Sequence, residues 1–527
     1  MENHTRDSSR TATRGQHETS VRALNEPARK PILASPSSSS SSLSGLSSPA
    51  SSALSTPASV NEDCYDLICV GFGPSAIAIA IAIEETVKHA GALRILFIER
   101  QTSFAWHGGL LLPSSRMQIS FVKDFATLRD PTSKFTFLNY LHCNQRLIDF
   151  VNQSTFYPLC EEYNDYMNWC AQQFNHQVVY GEEVFDLYPA EDESGNSKII
   201  DSASPYDGHD IYKKFAVTTR LANDHGEIKQ FIRFAKNVVV CAGGRMKFPE
   251  CFPNSLLIPR IRKVDSTKHE PNYLRVIHSA QFMYSLSQIE TIVTGQKSAR
   301  IAVIGGGQSA AEITGYLHSN YANATIDMIF SSYALKPSDD SPFVNELFNP
   351  QAVDEIFAKS QVERNQFIKN HATTNYGVVR IELLEDLFRR MYEEKLPGRN
   401  IRLWMRNNRT VSQFEDKGDV ILLTLQNNSV ASPSNGLEKL EYDFVVAATG
   451  YDNSINRDQL LTNLSKFMPT GSPEVERNYQ VKTDDRLACK LFTQGSNQST
   501  HGLSDTLLSI LAIRGQEIAG SIFGQSL

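Results

Sequence analysis

Much of what this sequence lacks narrows its function. None of its eight cysteines falls in a C-x-x-C pair or at metal-ligand spacing, so no metal site is expected. Cys64 and Cys69 form a C-x-x-x-x-C, a redox spacing in some flavin reductases. They flank the first expected strand ahead of its glycine turn, and an odd separation along a strand puts two thiols on opposite faces. The cysteines read as buried, reduced thiols of a cytoplasmic protein. No apolar run approaches the ~20 residues that cross a bilayer; the longest, Ala76 to Ile83, has eight. There is no basic excess either. The net charge is −7, which argues against a nucleic-acid partner. A secretory leader is missing from the polar N-terminus, which carries Asp7 and Glu18. Gln525-Ser526-Leu527 only loosely resembles a peroxisomal address.

What is present begins with a tail. Between Ser35 and Ser59, 14 of 25 residues are serine. Such a segment buries too little apolar surface to offset its ordering entropy, so residues 1–61 read as a disordered tail. The rest, 41% apolar and 21% charged over the whole chain, has the composition of a globular protein of two to four domains.

Two glycine-rich turns, 234 residues apart, carry the chemistry: Gly71-Phe72-Gly73-Pro74-Ser75-Ala76 and Gly305-Gly306-Gly307-Gln308-Ser309-Ala310. Each follows a short apolar run, Leu67 to Val70 or Ile301 to Ile304, and opens onto a helical stretch. The pattern is G-x-G-x-x-A, a form of the dinucleotide fingerprint. The first Gly turns the strand, the second admits a pyrophosphate, and the small third residue packs helix on strand. The phosphate sits at the positive end of the helix dipole. Two such turns predict two dinucleotides, most simply a flavin and a nicotinamide. Glu99, 28 residues past Gly71 at the end of the strand Arg94 to Ile98, fits the ribose-binding acid.

The expected fold class is α/β, with two Rossmann-like dinucleotide-binding domains and a small substrate-binding insertion. Val238 to Gly244 and Val445 to Tyr451 read as a related pair, each an apolar strand running into small residues and Gly. They frame an interrupted flavin domain, residues 62–244 and about 446–527. A nicotinamide domain, residues 245–445, is inserted with a substrate segment at about 340–385. Tyr65 to Val70 reads as one buried strand, Ser75 to Thr86 as a buried helix, and Glu191 to Gly208 as hairpin loops.

Further blocks are more specific: Phe104-Ala105-Trp106-His107, Met117 to Asp124, Ala126 to Pro131, Pro337 to Glu346 and Thr500 to Asp505. On these the chain, from about Cys64 onward, resembles the fungal L-ornithine N5-monooxygenases, which begin hydroxamate siderophore synthesis. The resemblance implies FAD, reduced by NADPH, with oxygen adding to the flavin as a C4a-hydroperoxide. The substrate's side-chain amine attacks the distal oxygen, and that amine must be neutral although a free one titrates near ~10.

The resemblance also implies residue roles. Gly71, Gly73, Ala76, Glu99, Arg100, Gln101, Thr102, Ser103, Phe104, Ala105, Trp106, His107 and Val184 hold the flavin. Gln118 lies beside it, with Met117 on its face, and Thr506, Leu507 and Leu508 close over it. Gly306, Gly307, Gln308 and Ser309 cradle the nicotinamide's phosphates, and Asn375, Tyr376 and Gly377 make a further cofactor contact. Lys123, Asn345, Glu346, Leu347, Phe348, Asn375 and Ser509 bind substrate, with Ser509 expected on a C-terminal helix. Gln118, Lys123 and Asn345 are the catalytic set. A homotetramer is implied too.

Two departures stand out. Ser331 occupies the position after strand Ile326 to Phe330 where the family often has an Arg for the NADPH 2′-phosphate, so NADH is not excluded. The F-x-G-x-x-x-H pattern of related oxygenating flavoenzymes survives only as His278 with Phe282, since residues 272 and 274 are Asn and Leu; this argues against a general xenobiotic or Baeyer–Villiger oxygenase. Lysine, one methylene longer than ornithine, stays open as substrate because a pocket resolves a methylene by only ~1–3 kcal/mol. A flavin-dependent NAD(P)H reductase is the alternative of a different class.

Overall fold

The computed structural model describes residues 59–190, 211–222, 228–257, 275–429 and 436–524, all within one compact unit, Ser55–Leu527. The expected loops 191–208, residues 272 and 274 and the tail through residue 58 lie outside the described residues.

Two five-stranded parallel sheets organise this unit. The first runs Lys490–Thr493, Asn237–Val240, Leu67–Val70, Ile95–Glu99, Val178–Tyr180 in spatial order. The second runs Val276–His278, Phe444–Ala447, Ala299–Ile304, Ala324–Ile329, Leu403–Arg406. Strands Leu67–Val70 and Phe444–Ala447 are apolar and buried at every position because both faces are covered. In the first sheet Leu67, Cys69 and Phe97 join one core, while Ile68, Val70 and Ile98 join the other. In the second, Ile301 and Val303 face one core and Ala302 and Ile304 its opposite.

Each parallel sheet is accompanied by a smaller one. Glu183–Ala190, Lys214–Ala222 and Ile228–Ala235 form antiparallel pairs beside the first sheet's elements. Arg409–Asp416, Ile421–Asn427 and Leu437–Tyr442 do the same in the second half of the chain. The two halves are joined where Arg245–Met246 pairs antiparallel with Tyr451–Asp452.

Helix Pro74–Thr86 follows the first glycine turn with proline in its first turn, where the missing N–H costs nothing. Its alternating Ala and Ile residues would suit a strand, but its eight residues Ala76 to Ile83 are all buried. The helix is enclosed because helix Leu511–Phe523 packs against it: a Cβ on Gly515 would come within 2.6 Å of the Ala78 carbonyl.

Four expectations are corrected. Ser59 to Asn61, assigned to the tail, enter strand Ser59–Tyr65 because Ser59, Val60 and Asn61 pair in parallel with Phe231, Ile232 and Arg233. The strand expected from Tyr65 to Val70 breaks at Asp66, whose carboxylate accepts from Arg94 N–H at 2.9 Å and Lys236 Nζ at 2.8 Å. Cys64 and Cys69 consequently sit on strands of two different sheets. Val446 and Ala447 belong to the second sheet, so the chain leaves that sheet after Ala447 rather than at 446 and rejoins the first one at Lys490–Thr493. Among the described residues no helix is long and apolar enough to cross a membrane.

The two roles of glycine can be separated in the first turn. Gly71 has φ +94° and a Cβ there would lie 2.6 Å from the Cys241 carbonyl, whereas a Cβ on Gly73 meets nothing within 4 Å. Gly71→Ala should destabilise the protein by about 1–3 kcal/mol. Gly73→Ala should cost less than about 1 kcal/mol. Denaturant titration of both variants measures the contrast.

Candidate functional site

The two glycine turns are built alike. Gly71 N–H donates to the Ile98 carbonyl at 2.8 Å and Gly305 N–H to the Ile329 carbonyl at 2.9 Å. On the other side, Cys241 N–H donates to Val70 and Ala448 N–H to Ile304, both at 2.8 Å. A Cβ on Gly305 would sit 2.2 Å from the Ala448 carbonyl, the counterpart of Gly71 against Cys241. Each turn is thus wedged between two neighbouring strand ends. Gly73 and Gly307 begin helices Pro74–Thr86 and Gln308–Asn320 with no side-chain cap, which leaves first-turn N–H groups to bind an anion. Gly73 admits a group closely, as its open Cβ position shows, so this turn fits a pyrophosphate.

Glu99 is buried at the first turn. Its carboxylate accepts from Phe72 N–H at 2.8 Å and Gln101 N–H at 2.9 Å. Those bonds aim it and leave lone pairs for sugar hydroxyls. Arg100, Gln101, Thr102 and Ser103 form an exposed loop after the strand. Trp106 N–H is anchored on Asn164 Oδ1 at 2.9 Å. His107, with φ 51°, lies 5.8 Å from the Tyr451 ring. Val184 is buried in the core against Ile68 and Val70.

A second cluster joins distant segments. Lys123 Nζ donates to Asn345 Oδ1 at 3.3 Å across 222 residues. Asn345 ends helix Pro342–Asn345 and is steadied by its own Nδ2 donating to the Asp340 carbonyl at 2.8 Å. Asp124 does not pair with Lys123. Its buried carboxylate instead accepts from the N–H groups of Ala126, Thr127 and Phe137, at 2.9, 2.6 and 2.7 Å, and from the Thr127 hydroxyl at 2.8 Å. Among the described residues no carboxylate pairs with Lys123. Burial lowers its pKa from the usual ammonium value, and two of its donors stay available for an anion.

Helices Pro342–Asn345, Ala352–Ala358 and Gln361–His371 occupy residues 340–385 with Asn375, Tyr376 and Gly377. Tyr376 OH donates to Gln498 Oε1 at 2.5 Å and bonds Thr506 Oγ1 at 3.1 Å, tying this segment to the C-terminal stretch. Leu508 packs against the first core, and Leu507 lies between it and Thr506. Ser509 is buried in the turn before helix Leu511–Phe523, not on that helix. The structure joins neither Ser509 nor Asn375 to the Lys123–Asn345 pair by a hydrogen bond, and Glu346 is exposed with Leu347 and Phe348 half-buried beside it. Gln118 is exposed next to buried Met117.

Arg380, unmarked by any sequence pattern, and His278 hold these parts together. Gln308 Oε1 accepts from Arg380 N–H at 2.9 Å, and Gln308 Nε2 donates to Glu312 at 2.8 Å. The Arg380 guanidinium lies 5.2 Å over the Tyr157 ring and donates to the Met117 carbonyl at 3.4 Å. No spacing in the sequence pairs Arg380 with Met117, 263 positions away. His278 is the other linker: its Nε2 meets the Gly450 carbonyl at 3.0 Å and its Nδ1 accepts from Ala280 N–H at 3.2 Å. That pattern requires the neutral ring, and burial lowers its pKa to about 4.

The cysteines supply no redox pair here. Cys69 and Cys241, near the first turn, are buried thiols; burial raises Cys69 well up and Cys241 to about 12, so neither is a thiolate nucleophile.

Two dinucleotide turns of one design in a chain without a redox dithiol define a flavin- and nicotinamide-type oxidoreductase that works by other means than thiol exchange. Residues 63–453 match the family described as L-lysine 6-monooxygenase/L-ornithine 5-monooxygenase, and the chain belongs to that family of flavin monooxygenases. An L-ornithine N(5)-monooxygenase of Beauveria bassiana is 40% identical over 498 residues, covering 87% of this chain and 86% of its own. An ornithine hydroxylase from Pseudomonas aeruginosa superposes with TM-score 0.74 at 37% identity, covering 88% of this chain and 99% of that one. An ornithine N-hydroxylase of Kutzneria, solved with reduced FAD, NADP+ and L-ornithine, gives TM-score 0.73 at 32% identity, covering 87% and 99%.

The neutral His278 sets a pH dependence. Its folded pKa of about 4 lies below the unfolded value near ~6.5, so the unfolded chain binds the extra proton. Stability is therefore complete above ~6.5 and falls as pH drops toward 4, by about 3 kcal/mol for this one ring. His501, lowered to about 4 by burial, acts in the same direction. Unfolding midpoints between pH 7.5 and 4 should decline, with a shallower decline in His278→Gln. An unchanged slope would mean that the folded ring takes up the proton.

Proposed function

We propose that this chain hydroxylates the side-chain amine of L-ornithine, using FAD, NADPH and O2 to give N5-hydroxy-L-ornithine, NADP+ and water. This is the entry step to a hydroxamate siderophore. The single observation that carries the substrate reading is the half-buried Lys123 held on Asn345, with no carboxylate partner. A lone ammonium with donors to spare suits an amino acid's carboxylate. Ornithine over lysine is supported by relatives named for ornithine at 36–41% identity, against 24% for a solved L-lysine 6-monooxygenase.

The first turn and Glu99 hold FAD in this reading, and the second turn with Gln308 and Ser309 holds NADPH. When bound, the reduced flavin supplies the oxygen chemistry. The chain's residues do the rest. Lys123 and Asn345 orient the substrate's carboxylate end, while Asn375 and Ser509 bind its polar groups without adding charge. Gln118 stands at the flavin edge with a free amide. Arg380, through Gln308 and the Met117 carbonyl, holds the nicotinamide turn against the flavin-side segment, which fixes the relation of the two sites. A cytoplasmic homotetramer belongs to the same proposal; exposed Phe388 and Tyr392, one helical turn apart, offer apolar surface for assembly.

Purified protein should consume NADPH and form a hydroxylamine with L-ornithine far faster than with L-lysine. Hydroxylation of neither amine would end the proposal. Lys123→Ala should raise KM for ornithine about tenfold to a hundredfold, the worth of a charge-assisted hydrogen bond, with flavin reduction by NADPH little changed. Equal loss in both would make Lys123 structural. Because burial lowers the Lys123 pKa, carboxylate binding is present at lower pH and is lost as pH rises through that lowered value. Productive binding should therefore fall at alkaline pH in the unmodified enzyme, and this limb should vanish in Lys123→Ala.

A further inference from the structure

A nicotinamide dinucleotide with a 2′-phosphate asks for positive charge near the end of the second strand of its fold. In this chain Ser331 and Ser332 follow strand Ala324–Ile329 and bring none. The Ser331 carbonyl accepts from Asn428 Nδ2 at 3.3 Å, and the Ser332 hydroxyl donates to the Ala334 carbonyl at 3.0 Å. The arginines of the region are engaged. Arg406 pairs with Asp327 at 3.2 Å and Glu438 at 3.1 Å. Arg409 donates to the Asn407 and Asn408 carbonyls at 3.3 and 3.4 Å and lies 3.7 Å from Glu438. Arg380 pairs with Glu382 at 3.3 Å.

Lys336 is different. After the strand, the chain folds back over the glycine turn: a Cβ on Gly306 would lie 3.3 Å from Phe330 Cβ and 3.7 Å from Leu335 Cδ2. Leu335 is seated against the turn, and Lys336 follows it. Lys336 then pairs in parallel with Val378. Gly377, next to Val378, has its Cα 3.7 Å from a Cβ built on Gly307. The Lys336 backbone is therefore held at the rim of the turn from two directions. Its side chain is exposed, and no carboxylate among the described residues pairs with it. The acids that follow it are occupied: Asp339 accepts from Ser341 N–H at 3.0 Å and Asp340 from Tyr157 OH at 3.1 Å.

We propose that Lys336 is the cation that reads the NADPH 2′-phosphate in this chain, with the Ser331 hydroxyl as a neutral partner. The inference rests on the reading that the second turn holds NADPH. A lysine reaches from further along the loop than an arginine at 331 would, because its ammonium is a point charge on a long flexible stem and needs no planar alignment. The Ser331 departure then relocates the phosphate contact instead of abolishing it.

The test is calorimetric titration of the FAD-loaded full chain with adenosine 2′,5′-bisphosphate and with 5′-AMP. Lys336→Met should weaken bisphosphate binding about tenfold to a hundredfold and leave 5′-AMP unchanged, while Lys336→Arg keeps most of the affinity. Equal weakening of both ligands would make Lys336 a structural part of the rim and overturn the inference. No weakening of either would assign the phosphate to another group and overturn it too. If the unmodified protein bound neither ligand, nor NADP+ nor NAD+, the reading of the second turn itself would fall, a result distinct from the others.

Discussion

Everything in this molecule that bears on chemistry hangs from one close approach made twice. The first glycine of each turn sits against the carbonyl at the end of the neighbouring parallel strand, Gly71 on Cys241 and Gly305 on Ala448, where any side chain would collide. Both glycines have positive φ, a conformation and a proximity that only glycine combines at low cost. The contact lets the strand stop, turn and start a helix whose first N–H groups carry no side-chain cap and are left to receive an anion. It also locks the third strand beside the turn, so that the segments leaving those strands, at Ala242 and Thr449, begin side by side and pair as Arg245–Met246 with Tyr451–Asp452.

The duplication explains the frame, and departures from it explain the site. The first half adds a long excursion between Glu99 and Val178 that carries Trp106, Met117 and Lys123. The second half adds helices between residues 340 and 385 that carry Asn345 and Tyr376. These two insertions meet at Lys123 and Asn345. What makes that meeting chemically useful is the fate of Asp124. The adjacent carboxylate is consumed by four hydrogen bonds within its own loop and the start of helix Phe137–Cys143, so the lysine beside it stays uncompensated. A half-buried cation without a counter-ion is costly, and the substrate carboxylate proposed to bind there would relieve that cost.

Much of the frame was legible in the chain. Apolar runs of four residues before glycine turns, with Pro74 at a helix start and Glu99 at a strand end, specify local geometry, and local geometry is what sequence patterns encode. Pairing partners far away in the chain leave no such local pattern. Ser59 to Asn61 looked like more of the tail because their strand exists only by pairing with residues 231–233. Tyr65 to Val70 looked like one strand because Asp66 breaks it through Arg94 and Lys236, neither of them a neighbour. Val446 resembles the start of the returning segment, yet its parallel pairing opposite Val303 places it in the other sheet.

The sequence by itself determined two dinucleotide turns, the parallel strands that lead into them, the absence of a redox dithiol and, by resemblance, the N-hydroxylating family. These follow from contiguous residues whose backbone needs or side-chain types are visible in order. Only the tertiary structure decided that Lys123 faces Asn345 and not Asp124, that Arg380 joins the second glycine turn to Met117, and that Lys336 is carried to the rim of that turn. Each of these depends on segments tens to hundreds of residues apart brought within a few ångströms. A hydrogen bond or an unpaired charge is a property of that proximity, which no spacing along the chain records.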